Sequence, residues 1–383
     1  MPFYHRLGKL PHKRHTVFKR PDGTLYQEEL MGNKGFTGLS SLLYHERVPT
    51  AIREARVLKS VQLEEDPDPT LRQRHLRAGR LACAGSVVLD RVPVLFNDDI
   101  CLSLSCPDRN DEFFYRNATA DECVYVSDGE GVLESLMGEL PFRRGDYVVI
   151  PRGILHRWRF APGVSRLLVM ESAGYIRTPS RYRSEHGQLL EHSPFCERDI
   201  RVPMELPVHD EAGDFPLVIK GRGVLSEVIM ASHPLDVAGW DGYYYPWAFN
   251  IEDFEPITGR IHQPPPVHQT FEGDGFVICS FVPRLYDYHP ESIPAPYNHS
   301  NVMTDEVLYY AKDSFMSRRG IEYASITLHP DGLVHGPHPG KMEESVGKQA
   351  TDELAVMIDT FRPLKVSKQA LEVEDKDYMR SWL

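Results

Sequence analysis

Short apolar runs separated by turn residues dominate the chain from residue 81 onward. Runs rich in Val, Ile, Leu and Tyr alternate with Gly, Pro, Asp and Asn, as in SVVLD, ICLSLS, ECVYVSDGEG, YVVIPRG, SRLLVME, GFVICSFVPR, EVLYYA and YASITLHP. Runs of this length between turn signals are typical of β-strands. The pattern predicts an all-β protein, whose best helix candidates lie in residues 51–80, around the acidic segment EEDPDPT.

Two parts of the chain carry the same pair of motifs in the same order. Glu122 follows an aspartate at the start of one apolar run, and a P-x-G-x-x-H motif ends 34 residues later at His156. Glu306 follows an aspartate in the same way, and the second P-x-G-x-x-H motif ends 29 residues later at His335. Two matches in one order indicate two copies of a single β unit.

The paired motifs resemble the two signatures of cupins. This resemblance implies a bicupin, with two jelly-roll barrels of antiparallel strands and a few short helices. We expect an N-terminal domain at residues 1–250 that contains a metal-free barrel, and a C-terminal barrel at residues 251–383 that carries a metal.

Ligand-type residues are complete only in the second copy. His299 lies seven residues before Glu306, and His335 closes the second motif. Two imidazoles and one carboxylate form the facial set that leaves positions open on Fe(II) for substrate and dioxygen. We therefore predict one Fe(II) per chain, bound by His299, Glu306 and His335.

The first copy lacks one of the two imidazoles. The positions seven and five residues before Glu122 hold Tyr115 and Asn117, so His156 is the only histidine in its two motifs. We predict that this barrel is a structural copy without a metal.

Further segments extend the resemblance along the whole chain. They are LYQEELMG…FT at 25–37, FVPR at 281–284, PYNHSN at 296–301, LH at 328–329 and HGP at 335–337. With these segments the chain resembles the homogentisate 1,2-dioxygenases, in a compact bacterial form.

The resemblance implies cleavage of the aromatic ring of homogentisate by O2 at Fe(II), giving maleylacetoacetate in tyrosine and phenylalanine catabolism. It points to His262 as the catalytic base, with His268 as a rival six residues further on. It also implies substrate contacts from His329, Tyr297 and the metal ligand His335. A histidine suits proton transfer because its ordinary pKa lies near neutral pH.

Two departures from the family leave alternatives open. The family glutamate lies six residues after the histidine, where this chain has Asp305, whereas the internal repeat selects Glu306. Successive strand residues point to opposite faces, so only one of the two can face the metal. The expected substrate-binding tyrosine falls near Ser314 and Phe315. A gentisate-type dioxygenase, or a non-oxidative bicupin that binds or isomerises its ligand, therefore remains an alternative.

Two other features have structural and functional interpretations. Arg284 can bind a substrate carboxylate through two hydrogen bonds, but a structural ion pair is the interpretation that we favour. The aromatic cluster at 240–247 is more typical of a core or a subunit contact than of a substrate platform.

Charge and cysteine content narrow the class of protein. Lys and Arg number 43 and Asp and Glu 55, a net charge of −12 that opposes nucleic-acid binding. We expect no signal peptide, because the N-terminus has no apolar region, and no membrane segment, because no stretch approaches about 18 apolar residues. The six cysteines form no CxxC motif, which favours a cytoplasmic protein with reduced thiols. The partners that we expect are an aromatic acid, O2 and, from the family, further copies of the chain.

Overall fold

The computed structural model of the protein describes residues 2–263 and 265–383. The strands up to residue 250 are β1 (His5–Gly8), β2 (Gln27–Lys34), β3 (Thr37–His45), β4 (Ile52–Ser60), β5 (Arg74–Leu76), β6 (Val92–Phe96), β7 (Ile100–Ser105), β8 (Phe114–Asn117), β9 (Asp121–Asp128), β10 (Gly131–Ser135), β11 (Gly138–Phe142), β12 (Asp146–Ile150), β13 (His156–Phe160), β14 (Arg166–Ser172), β15 (Ile200–Arg201), β16 (Ala212–Gly221), β17 (Val224–Ser232), β18 (Val237–Gly242) and β19 (Trp247–Asn250).

The later strands are β20 (Gln269–Gly273), β21 (Phe276–Phe281), β22 (Arg284–Leu285), β23 (Asp305–Tyr310), β24 (Ile326–His329), β25 (Ala350–Thr351), β26 (Ala355–Thr360) and β27 (Lys365–Val366). Within the described residues there is one α-helix, α1 (Lys341–Ser345), and there are short 3₁₀ turns at Ala78–Arg80, Ser180–Tyr182, Glu197–Asp199, Ile251–Asp253, Pro265–His268, Gln369–Val373 and Tyr378–Arg380.

Three large sheets build the two barrels. The first barrel is formed by the sheets β11-β10-β13-β8-β16-β17-β4 and β15-β19-β12-β9-β14-β7-β6-β27, and the second by β20-β21-β26-β23-β24-β5 with the pair β22-β25. A four-stranded sheet, β1-β18-β3-β2, packs beside them. The protein is thus an all-β bicupin, which confirms the predicted fold class.

Residues 51–80 differ from the helix expectation. They form β4, the short β5 and one 3₁₀ turn, and all nine residues of β4 are exposed at the edge of their sheet. β4 pairs in antiparallel fashion with β17, which satisfies the backbone groups on that side of the strand. Pairing with an available sheet edge outweighs the local helix preference of a segment such as REAR.

The barrels share one hydrophobic core. Strands β9 and β12 contribute Tyr125 and Tyr147 to the same buried cluster as Tyr309 of β23. The Tyr309 hydroxyl donates to Ser127 Oγ at 2.8 Å, and the Tyr147 hydroxyl lies 2.9 Å from Ser280 Oγ. The predicted boundary at residue 250 therefore runs through a packed interface rather than a linker.

Each half of the chain also contributes a strand to the barrel of the other half. β5 pairs with β24 of the second barrel, and β27 pairs with β6 of the first. The division at residue 250 stays a prediction, but two strands lie in the barrel opposite to the one that it assigns.

One pair of cysteines differs from the expectation of reduced thiols. Cys83 and Cys106 form a disulfide with their Cα atoms 5.3 Å apart, whereas Cys101, Cys123, Cys196 and Cys279 are free. The expectation is wrong for this pair because the fold brings together two loops 23 residues apart, which cysteine spacing does not reveal. In the part of the chain that the structure describes, no helix is long and apolar enough to cross a membrane.

Candidate metal centre

A completely buried strand places Glu306 at the mouth of the second barrel. The run DEVLYY forms β23, which lies between β26 and β24. His299 and His335 come from flanking segments that pair directly, because each backbone N–H donates to the carbonyl of the other residue at 2.8 and 3.0 Å. Their ring centroids are 4.3 Å apart.

The backbone fixes which nitrogen of each ring is free. His299 Nδ1 lies 3.1 Å from the carbonyl oxygen of Tyr297, and His335 Nδ1 lies 3.4 Å from that of Leu333. A carbonyl only accepts hydrogen bonds, so each Nδ1 carries the hydrogen and each Nε2 carries a lone pair.

The free nitrogens converge on one carboxylate oxygen. Both Nε2 atoms are 3.5 Å from Glu306 Oε2, and the ligand atoms of the three residues lie within 4.8 Å of one another. The buried His335 Nε2 has no hydrogen-bond partner. Two imidazole lone pairs, one of them on an unpartnered nitrogen, and one carboxylate fit a divalent transition metal such as Fe(II).

His329 supports the carboxylate from the buried side. Its Nδ1 donates to Glu306 Oε1 at 2.8 Å, and its Nε2 lies 3.3 Å from the Tyr378 hydroxyl. Burial and the nearby Arg318 charge lower the pKa of His329 to about 4, so the ring is neutral. Its substrate contact stays a prediction; in this structure the ring faces Glu306 and Tyr378.

Asp305 points away from the three candidate ligands. Its Oδ1 accepts from the Asp331 backbone N–H at 2.9 Å, and its Oδ2 accepts from that of Leu364 at 2.7 Å. Side chains alternate along β23, so the two acidic residues point to opposite faces of the sheet. Asp305 ties together two loops, and Glu306 faces the imidazoles.

A cavity of about 140 Å³ is lined by His299 and Glu306, two of the three candidate ligands. Phe281, Leu308, Phe315 and Met357 provide apolar wall.

Two buried polar atoms on the cavity lining have no hydrogen-bond partner. They are Arg318 Nε and Asp359 Oδ1. Arg318 Nη1 donates to the Gly336 carbonyl at 2.7 Å, which leaves the Nε donor free. Asp359 pairs with Glu306 across the β23–β26 ladder, and burial together with that carboxylate raises the pKa of Asp359 to about 8.

Both candidate bases line the same cavity. His262 is at its rim, with a side chain 42% exposed and Nδ1 3.8 Å from Asp287 Oδ2. His268 is buried and stacks on Phe281 at 4.6 Å, and burial followed by the Arg284 charge lowers its pKa to about 3.

Tyr297 occupies the rim beside one of these bases. Its ring centroid is 5.3 Å from that of His262, and about half of the residue is exposed. Because its carbonyl also holds His299 Nδ1, one residue contacts both the rim and a candidate ligand.

Arg284 makes an ion pair with the buried Glu353 at 2.7 Å, as in the structural interpretation. Sequence reasoning missed Arg318 and Asp359, since neither lies in a motif. The strand run ELAVMIDTF contains the only sequence signal for Asp359, an acidic residue within an apolar run.

An arginine holds the equivalent carboxylate of the first barrel. Tyr115 pairs with His156 in the sheet, as His299 pairs with His335. Arg91 donates to both oxygens of Glu122 at 2.9 Å. Burial opposes the negative charge of Glu122, but Arg91 outweighs it and lowers the carboxyl pKa to about 2. In the first barrel, the Arg91 guanidinium therefore supplies the positive charge that balances the Glu122 carboxylate.

A second group of possible ligands is less suited to a metal. His209, Glu211 and His233 lie close together, but Glu211 is exposed. The Leu235 backbone N–H donates to His233 Nδ1 at 3.2 Å, which uses that lone pair, and the two rings are stacked 4.0 Å apart rather than pointing to a common centre.

Comparisons with known proteins give one matching family model and several related proteins. Residues 101–251 match a family model described as "Homogentisate 1,2-dioxygenase N-terminal". The chain is 45% identical to the "Putative dioxygenase" of Saccharolobus solfataricus, over 100% of this chain and 99% of that protein. It is 25% identical to the homogentisate 1,2-dioxygenase of Bradyrhizobium diazoefficiens, over 71% of this chain and 63% of that enzyme.

A solved cupin 2 conserved barrel domain protein from Leptotrichia buccalis is also similar, with a TM-score of 0.37 and 8% identity. That match covers 77% of this chain and 99% of the other.

Proposed function

We propose that this chain, which belongs to the homogentisate 1,2-dioxygenase family, is an Fe(II)-dependent dioxygenase. It would open the aromatic ring of homogentisate with O2 and give maleylacetoacetate. The observation that supports this most strongly is the convergence of His299 Nε2, His335 Nε2 and Glu306 Oε2 beside a cavity.

These three residues would hold the metal. Bound Fe(II) supplies open positions for a phenolate oxygen and for O2 and passes electrons between them. His329 keeps the Glu306 carboxylate oriented by donating to its second oxygen. The Tyr297 and Leu333 carbonyls keep the two Nε2 lone pairs directed inward.

The two unpartnered atoms of the cavity match the other groups of a hydroquinone acid. Arg318 Nε is a charged donor, which suits a carboxylate. Asp359 Oδ1 lies on the same lining, and its carboxyl group, which the raised pKa keeps protonated near neutral pH, can donate to or accept from a hydroxyl group. Homogentisate has one carboxylate and two hydroxyls, so one hydroxyl remains for the metal. The ring would pack against Phe281 and Phe315 and displace water.

A histidine at the rim would take the phenol proton. His262 Nδ1 faces Asp287, so Nε2 is the atom left to accept that proton. His268, whose pKa is lowered to about 3, is the weaker base, although the choice between them stays a prediction.

Oxygen uptake tests the proposal. Ferrous-loaded protein is mixed with homogentisate, gentisate and a 2,5-dihydroxy aromatic without a carboxylate. We expect homogentisate to be consumed fastest, with one O2 taken up per ring opened. Faster consumption of gentisate would favour the gentisate-type alternative, and no oxygen uptake with any compound would favour a non-oxidative bicupin.

From the family we further infer a place in tyrosine and phenylalanine catabolism, a cytoplasmic location and assembly into a homo-oligomer. These inferences are tested by growth of a deletion strain on tyrosine, by cell fractionation and by measurement of the mass of the protein in solution.

A further inference from the structure

A second and larger cavity lies at the mouth of the first barrel. Its volume is about 490 Å³, against 140 Å³ beside the candidate metal ligands. The apolar part of its wall consists of Val61, Leu63, Val88, Leu89, Ile100 and Leu225. A cavity of this size with a mixed lining is large enough for a small organic ligand.

The charged groups at this cavity neutralise one another: Arg91, Glu171 and Lys220 line it, and the fully buried Glu122 pairs with Arg91. Arg91 forms two hydrogen bonds with Glu122, and Lys220 Nζ lies 2.6 Å from Glu171 Oε1. Asn117 Nδ2 donates to both carboxylates, at 2.9 and 2.8 Å. These contacts leave no unpaired charge among them that would favour an ionic ligand.

Two uncharged groups beside this network lack partners. The Tyr115 side chain lines the cavity and is 2% exposed, yet its hydroxyl makes no hydrogen bond. His156 lies next to it, with ring centroids 5.4 Å apart. His156 Nδ1 is 3.0 Å from the Ile154 carbonyl and so carries the hydrogen, which leaves a lone pair on an unpartnered Nε2.

A phenol donor and an imidazole acceptor therefore lie side by side in a buried, charge-neutral place. Each buried polar group without a partner costs free energy, and a group that both accepts and donates relieves both at once. A hydroxyl is the smallest organic group with that property.

We propose that the first barrel binds an uncharged phenol, whose hydroxyl lies between Tyr115 and His156 and whose ring packs on the apolar wall. This site is separate from the candidate metal centre, and the proposal does not rest on the proposed function. The position that holds metal ligands in one barrel thus holds an organic ligand in the other.

Titration calorimetry with para-cresol tests the proposal on the full chain. We expect one binding site in the wild type and about tenfold weaker binding in Tyr115→Phe, the effect of one lost hydrogen bond. Toluene lacks the hydroxyl and serves as the matched probe, because its binding should not change in Tyr115→Phe. The substitution removes a single oxygen that has no partner, so the fold and the oxygen-uptake rate should be retained.

A crystal soaked with 4-bromophenol locates the site. Anomalous scattering from bromine in the first barrel, within contact distance of the apolar wall, is the expected result. The proposal is overturned if bromine is found only beside His299 and His335, if only water lies between Tyr115 and His156, or if para-cresol binds Tyr115→Phe as tightly as the wild type.

Discussion

At the residue scale, two neighbouring acidic side chains illustrate how a strand separates chemistry from structure. We expect Glu306→Ala to lose iron, because it removes the carboxylate that faces both imidazoles. Asp305→Ala should retain iron but lower the free energy of unfolding by about 1–3 kcal/mol, since two loop N–H groups lose their acceptor. Metal analysis and urea unfolding measure the two effects, and loss of iron in Asp305→Ala alone would reverse the assignment.

A second residue-scale prediction concerns the base. His262→Ala should keep iron, because His262 is not among the candidate ligands, and should lower turnover by about 10²–10⁴-fold. Raising the pH should restore part of the rate, since an ionised substrate no longer needs the base.

His268→Ala is the comparison for this variant. Its ring is buried and neutral, so we expect loss of packing against Phe281 but no rescue by pH. A large, pH-dependent loss in His268→Ala with near-normal His262→Ala would exchange the two roles.

The sequence could predict the three candidate ligands because each belongs to a motif with a fixed spacing on a strand or at its end. Arg318 and Asp359 could not be predicted in the same way. One lies in an irregular loop and the other on β26, and only the closure of the barrel brings them to the same cavity. The role of His329 behind Glu306 depends likewise on cross-strand register.

At the element scale, a buried histidine joins three strands of the four-stranded sheet. His45, at the end of β3, binds Asp236 at 2.6 Å just before β18 and Glu29 of β2 at 2.9 Å. Burial opposes its positive charge, but these two carboxylates outweigh burial and raise its pKa to about 9.

This shift predicts how stability depends on pH. The folded-state pKa lies above the unfolded value of 6.5, so the stabilisation is complete below pH 6.5 and is lost as pH rises through about 9. We expect the free energy of unfolding of the wild type to exceed that of His45→Gln by up to about 3 kcal/mol at low pH. This difference should shrink as the pH rises. Urea unfolding at about pH 6 and about pH 10 measures it; a constant difference would contradict the prediction.

The strands after residue 81 could be predicted from their apolar runs, whereas β4 could not. Its residues are exposed on both faces, so burial leaves no alternating pattern in its sequence. What makes it a strand is the edge of β17, a neighbour more than 160 residues away along the chain.

At the scale of the whole molecule, the two barrels pair corresponding residues in the same way, but Arg91 faces Glu122 in the first barrel where two imidazoles face Glu306 in the second. We predict one iron per chain, so His335→Ala should remove iron and activity while His156→Ala leaves the iron content unchanged. Arg91 already satisfies both oxygens of Glu122 in the first barrel. Two irons per wild-type chain by elemental analysis would refute this.

The internal repeat made the bicupin fold predictable, and the relationship to the homogentisate dioxygenases that the motifs suggested is confirmed. The exchange of strands between the halves could not be foreseen. β5 and β27 are only three and two residues long, too short to carry a periodic pattern.

The placement of β5 and β27 in the opposite barrels limits how the two barrels can be inherited. β5, which completes the second barrel, precedes the first barrel along the chain, and β27, which pairs with the first barrel, follows the second. A recombination event that joined residues 251–383 to another protein would leave β24 with an open edge, and the remaining half would lose β27, one of the two neighbours of β6. Because each barrel is completed by a strand from the other half of the chain, neither barrel can be inherited alone, and a change in one must remain compatible with the other.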